Sequence, residues 1–139
     1  MESNKSLSPL RVLLVEDSED DAELLQRELR RVYALSMDRV DTSQAMQRAL
    51  NDQEYDIVIS DHVMPKFSST AALAVLKASG KDLPFIIVSG TIGEELAVEA
   101  MKAGASDYVL KGNLTRLLPA IEREVADARV RRRAEHEVK

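Results

Sequence analysis

Asp56-Ile57-Val58-Ile59-Ser60-Asp61 is an apolar run that ends on a carboxylate. Ile57, Val58 and Ile59 do not alternate with polar residues, and strands of a parallel sheet covered on both faces need not do so. A buried strand therefore accounts for everything in the run except its last residue. Asp61 stands at the carboxyl end, and His62-Val63-Met64-Pro65 follows at once as a loop. In open α/β sheets the ligand crevice lies outside the carboxyl ends of the strands, so an acid at that place is a candidate functional group.

Towards the amino terminus, Leu10-Arg11-Val12-Leu13-Leu14-Val15 has the composition of a central strand and stops at Glu16-Asp17. Ser18, three residues before Asp21, resembles a capping box, and the acids around it suit a first helical turn. Ala22, Leu25, Leu29 and Val32 carry that helix to about residue 32. Residues 35–40 predict a second strand. Thr42 or Ser43 caps a helix that presents Ala45, Met46, Ala49 and Leu50 to the core. Residues 1–9 lack apolar periodicity and predict a mobile tail.

Towards the carboxyl terminus, residues 70–78 predict a helix closed by Ser79-Gly80. Pro84 precedes a fourth strand, Phe85–Ser89, residues 90–93 form a loop, and Glu94–Ala103 predicts a helix closed by Gly104. The short strand Asp107–Leu110 ends at Lys111. Leu114, Leu117, Leu118, Ile121 and Val125 then stripe a last helix, with Pro119 in its opening turns. Beyond Ala128 the stripe fades and the end is expected to be solvated. Five strands alternating with five helices predict a doubly wound α/β domain, a five-stranded parallel sheet with right-handed crossovers and the flavodoxin-like strand order 2-1-3-4-5.

A length of 139 residues, 45% of them hydrophobic and 31% charged, suits one ordered domain. The chain has no cysteine, which excludes disulfides, thiolate metal sites and cysteine nucleophiles. With no apolar run of membrane-spanning length and no signal-peptide pattern, a cytoplasmic protein without membrane contact is expected. The net charge of -5 is unevenly spread: six of the eight residues 16–23 are acidic, while residues 129–133 hold four arginines. The acidic end disfavours direct nucleic-acid binding, and the arginine run lacks interleaved aromatics, so it is read as a solvated helix end or linker.

The residues that follow the strands are Glu16-Asp17, Asp61, Ser89 and Lys111. Strands one and three are neighbours in the expected order, so three carboxylates crowd together and require a positive partner. Lys111 supplies one cation, and an all-oxygen ligand set suits a hard ion, Mg²⁺ or Mn²⁺. A carboxylate beside such an ion and a lysine can attack an electrophilic phosphorus. The Ser89 hydroxyl can donate to another phosphoryl oxygen. His62, one of two histidines and without metal-ligand spacing, is read as a half-exposed loop residue.

From residue 10 to about residue 128 the chain resembles the receiver domain of two-component response regulators. The shared features are the acids in Val15-Glu16-Asp17, the aspartate and proline of Asp61-His62-Val63-Met64-Pro65, the hydroxyl in Val88-Ser89-Gly90, and Lys111 after Tyr108-Val109-Leu110. The resemblance implies a phosphoprotein of bacterial signalling in which Asp61 accepts a phosphoryl group from a histidine kinase or phosphotransfer protein. It also implies that Glu16, Asp17, Asp61 and the Val63 carbonyl bind Mg²⁺, and that Ser89 and Tyr108 couple the modification to a change in one face. Residues 96–110 with the last helix are the expected homodimer or partner face. Residues 129–139 are the expected charged extension towards a sensory or catalytic output domain.

Two positions depart from the family pattern, Gly112 where proline usually follows the lysine and Ser69 where glycine is frequent, while Val63 and Thr91 occupy the variable places two residues beyond Asp61 and Ser89. Val63 also stands where an aspartyl phosphatase would carry its second aspartate, so no turnover of an external substrate is expected. The alternative is a receiver-like interaction module that signals without phosphate.

Overall fold

The computed structural model describes residues 7–62, 66–90 and 94–138. Val63, whose carbonyl was expected to bind metal, and Thr91 lie outside these residues, as do most of the 90–93 loop and residues 1–6. The elements alternate as β1 Ser8–Val15, α1 Glu19–Arg30, β2 Tyr33–Val40, α2 Ser43–Asp52, β3 Ile57–Asp61, α3 Ser69–Ser79, β4 Phe85–Ser89, α4 Glu94–Ala103, β5 Asp107–Leu110 and α5 Leu114–Val138. All strand pairs are parallel and the order is β2-β1-β3-β4-β5, as the alternation predicts.

The apolar strands are buried on both faces, yet their residues divide by parity between two cores, because successive side chains point to opposite sides of a sheet. Leu10, Val12, Leu14, Ile57, Ile59, Ile86, Val88 and Val109 pack with Leu29 of α1 and Leu117, Ile121 and Val125 of α5. Leu13, Val15, Val58, Phe85 and Ile87 pack on the other side with Met46 and Leu50 of α2 and Leu73 and Leu76 of α3.

Several boundaries move. Ser8 and Pro9, expected in a mobile tail, belong to β1 because they pair with Tyr33 and Ala34. α1 stops at Arg30 rather than at about residue 32, and Val32 is 41% exposed. Ser18 does cap α1, accepting from the Asp21 N–H, and Thr42 caps α2 in the same way. α3 starts one residue early because Ser68 caps it. Gly80 closes α3 at φ 77°, in the left-handed region where a Cβ is strained. Beyond Ala128 most of α5 is exposed, as expected, with Val130 at 66%. Arg129 pairs with Asp56 at 3.6 Å and Arg131 grips Asp82 through two contacts at 3.0 and 3.2 Å. Among the described residues no peptide bond is cis, so Lys111–Gly112 is trans.

Asp107 fixes β5 to α5. Its carboxylate is buried, accepts the Tyr108 N–H, and meets Arg116 at 3.2 Å and Arg123 at 3.0 Å. Both guanidinium groups are about half exposed, which screens the pairs. Asp107→Ala is expected to lower unfolding free energy by about 1–2 kcal/mol, measured by urea denaturation.

Candidate functional site

Strand parity assembles the site. Glu16 follows β1, Asp61 ends β3 and Lys111 follows β5, and each continues the parity of the residues packed against α1 and α5. The three side chains therefore meet on one side of the carboxyl edge. Lys111 Nζ lies 3.3 Å from Glu16 Oε1 and 3.4 Å from Asp61 Oδ1. Glu16 and Asp61 are buried, Asp61 being 8% exposed, while Asp17 is exposed. Glu16, Asp17 and Asp61 each place one carboxylate oxygen within 4.8 Å of the others, a spacing that several oxygen ligands of one hard cation can share.

Local contacts fix Glu16. The Ser18 N–H donates to its Oε2 at 3.2 Å, its own N–H donates to the Val40 carbonyl, and Arg39 Nη1 donates to its carbonyl at 3.0 Å. Burial, then the neighbouring Asp61 charge, raises the Glu16 carboxyl above its usual 4.5, against the Ser18 N–H and Lys111. Burial pulls the Lys111 ammonium down, but its bond to Asp21 and the charges of Glu16 and Asp61 outweigh this and raise it, so it stays charged.

Ser89 is buried at the end of β4, and its carbonyl accepts the Lys111 N–H at 2.7 Å. Tyr108 stands apart from the acids, since its parity turns it towards the core shared with α2 and α3. Its ring meets the His62 imidazole edge-on, with centroids 5.9 Å apart. Its hydroxyl is buried without a hydrogen-bond partner among the described residues. His62 is partly buried and its Nδ1 hydrogen-bonds the Ser69 hydroxyl at 2.8 Å. Ser69 itself is buried in the first turn of α3. The serine that replaces a frequent glycine thus ties the start of α3 to the end of β3.

Asp21 is the site residue that sequence reasoning passed over. Its Oδ2 accepts from Lys111 Nζ at 2.5 Å. As an acid three residues after a capping serine it is explained by the helix start alone, and nothing local ties it to a lysine 90 positions away.

A doubly wound sheet whose carboxyl edge carries three acids around a lysine defines a domain of the receiver class. The family model described as response regulator receiver domain matches residues 12–122, and the chain belongs to that family. Transcriptional regulatory protein ZraR of Salmonella typhimurium is 29% identical over 119 residues, 85% of this chain and 27% of ZraR. The chain therefore spans about a quarter of that relative. The signal receiver domain of a signal transduction histidine kinase from Syntrophus aciditrophicus superposes with a TM-score of 0.71 at 25% identity, covering 85% of this chain and 91% of that one. The receiver domain of sensor histidine kinase PA1611 from Pseudomonas aeruginosa PAO1 shares the fold, with a TM-score of 0.69 and 21% identity over 86% of this chain and 99% of that one. That structure holds a magnesium ion coordinated in its active site cleft. Receiver domains are signalling modules of two-component systems, and no described helix here is long and apolar enough to cross a membrane.

Proposed function

We propose that the chain is a phosphoacceptor switch in which Asp61 takes a phosphoryl group from a phosphohistidine of a kinase or phosphotransfer protein. The observation that carries this is the placement of Lys111 Nζ 3.4 Å from Asp61 Oδ1, beside the three-acid cluster. An Asp61 carboxylate oxygen forms the new O–P bond as the P–N bond breaks, and the departing imidazole takes up a proton. Lys111 donates to one oxygen of the transferring group and the Ser89 hydroxyl to another. Glu16, Asp17 and Asp61, with the Val63 carbonyl, would hold Mg²⁺ or Mn²⁺. The three carboxylates fit such an ion, being anionic oxygen donors that are closely spaced. When bound, that ion supplies positive charge for the phosphoryl oxygens. Water later releases the phosphate from Asp61, so the chain acts only on itself.

Ser89 and Tyr108 then carry the change to the α4–β5–α5 face, where exposed Val98 and Met101 offer contact to a second copy or an output domain. The charged end of α5, residues 129–138, leads towards that domain. Incubation with acetyl phosphate and Mg²⁺ tests the reaction: one phosphoryl adduct is expected, absent with chelator and mapped to the peptide containing Asp61. An adduct on another residue, or none, rejects the reading.

Metal binding should depend on pH through Glu16. Its carboxyl titrates higher in the folded than in the unfolded chain, so stability from this group is full below 4.5 and is lost as pH rises through the folded value. Divalent metal needs the charged form, so the two trends oppose. Mg²⁺ at ten times its dissociation constant is expected to stabilise the protein by about 1.4 kcal/mol near neutrality. The gain should shrink as the buffer is taken towards 4.5, and thermal unfolding with and without Mg²⁺ across that range measures it.

A further inference from the structure

The Lys111 ammonium carries three N–H donors and faces three carboxylates: Asp21 at 2.5 Å, Glu16 at 3.3 Å and Asp61 at 3.4 Å. A phosphoryl group arriving on Asp61 adds further acceptors to this set, so one existing contact must give way. The three acids are not equal in what release costs. The side chains of Glu16 and Asp61 are 5% and 9% exposed, whereas that of Asp21 is 46% exposed and regains water when it lets go. Glu16 and Asp61 are also held near Lys111 by strand ends, while Asp21 reaches it from the first turn of α1. A cavity of about 90 Å³, lined by Asp21, Leu24, Leu25, Leu114 and Lys111 among others, adjoins the pair and leaves the ammonium room to move.

We propose that Asp21 is a positioning residue: its carboxylate holds Lys111 back in the resting protein and must yield it for phosphoryl transfer to Asp61. This rests on the assignment of Asp61 as phosphoacceptor. The contact from α1 thereby sets how readily the site is loaded, and the family's four shared acidic and basic residues do not by themselves determine it. Asp21 is one residue on a half-exposed surface, so its hold is of the size of a partly screened ion pair.

The test compares labelling by acetyl phosphate with Mg²⁺, at fixed ionic strength, in the wild type, Asp21→Asn and Glu23→Gln. Glu23 is an exposed acid of the same helix, so its loss changes the net charge equally and reports general repulsion of the anionic donor. Asp21→Asn is expected to label about fivefold faster, and Glu23→Gln at close to the wild-type rate. The Lys111 ammonium nitrogen resonance, followed in the metal-free proteins, should shift in Asp21→Asn and not in Glu23→Gln. A merely structural role for Asp21 would change neither the rate nor that resonance. Labelling of Asp21→Asn no faster than wild type, equal acceleration by Glu23→Gln, or an unmoved Lys111 resonance overturns the inference while leaving Asp61 in place. A wild type that takes no label overturns both.

Discussion

Asp61→Asn is expected to take up no phosphoryl group from acetyl phosphate, while remaining folded and at least as stable as the wild type. An amide nitrogen or oxygen is a far poorer nucleophile than a carboxylate, and no neighbouring acid can substitute. Glu16 is buried and fixed by the Ser18 N–H, and Asp17 is exposed beyond the end of β1. Stability should hold because the change removes one of three crowded negative charges, whose pairwise repulsion at about 4 Å reaches about 4 kcal/mol at an effective dielectric near 20, before solvent screening. Relief of that repulsion should offset the lost attraction to Lys111. The same relief should weaken Mg²⁺ binding, since one anionic ligand is gone. Intact-mass analysis after labelling, with thermal unfolding in chelator and in Mg²⁺, reads all three outcomes. Full labelling of this variant would place the acceptor elsewhere.

Lys111→Ala is expected to reduce labelling by about a hundredfold or more and also to destabilise the metal-free protein. Removal of a preorganised donor to developing charge typically costs 10²–10³ in rate. The stability effect follows from the surroundings: Glu16, Asp61 and Asp21 all lie against the ammonium, and the first two are buried. Without it the buried carboxylates lack a cation, which should cost about 2 kcal/mol or more. Two dependences distinguish this from ordinary loss of packing. Millimolar Mg²⁺ should restore most of the stability, and Asp61→Asn combined with Lys111→Ala should be more stable than Lys111→Ala alone. A Lys111→Ala protein equally unstable with and without Mg²⁺ would mean that the lysine acts through its aliphatic stem.

Much of the fold is legible in local pattern. Runs such as 85–88 and 57–59 are apolar throughout, so they declare burial on both faces, and burial on both faces implies a parallel sheet with helices around it. Capping chemistry is equally local: Ser18 and Thr42 start α1 and α2 where the sequence places them. Boundaries fail where pairing partners decide. Pro9 reads as tail until Ala34 pairs with it, and Val32 keeps helical spacing with Leu29 although α1 has ended.

For the site, the sequence by itself determined the identities and order of Glu16, Asp17, Asp61, Ser89 and Lys111, because each sits at a strand end and strand ends are marked by local composition. Only the tertiary structure decided which of them meet. Strand order and parity put Glu16, Asp61 and Lys111 on one side of the sheet and turned Tyr108 to the other. They also brought Asp21 to Lys111 and gave His62 its bond to Ser69. A contact between residues 90 positions apart depends on how α1 is placed against the sheet that runs from β1 through β3 and β4 to β5, and no local propensity encodes that distance.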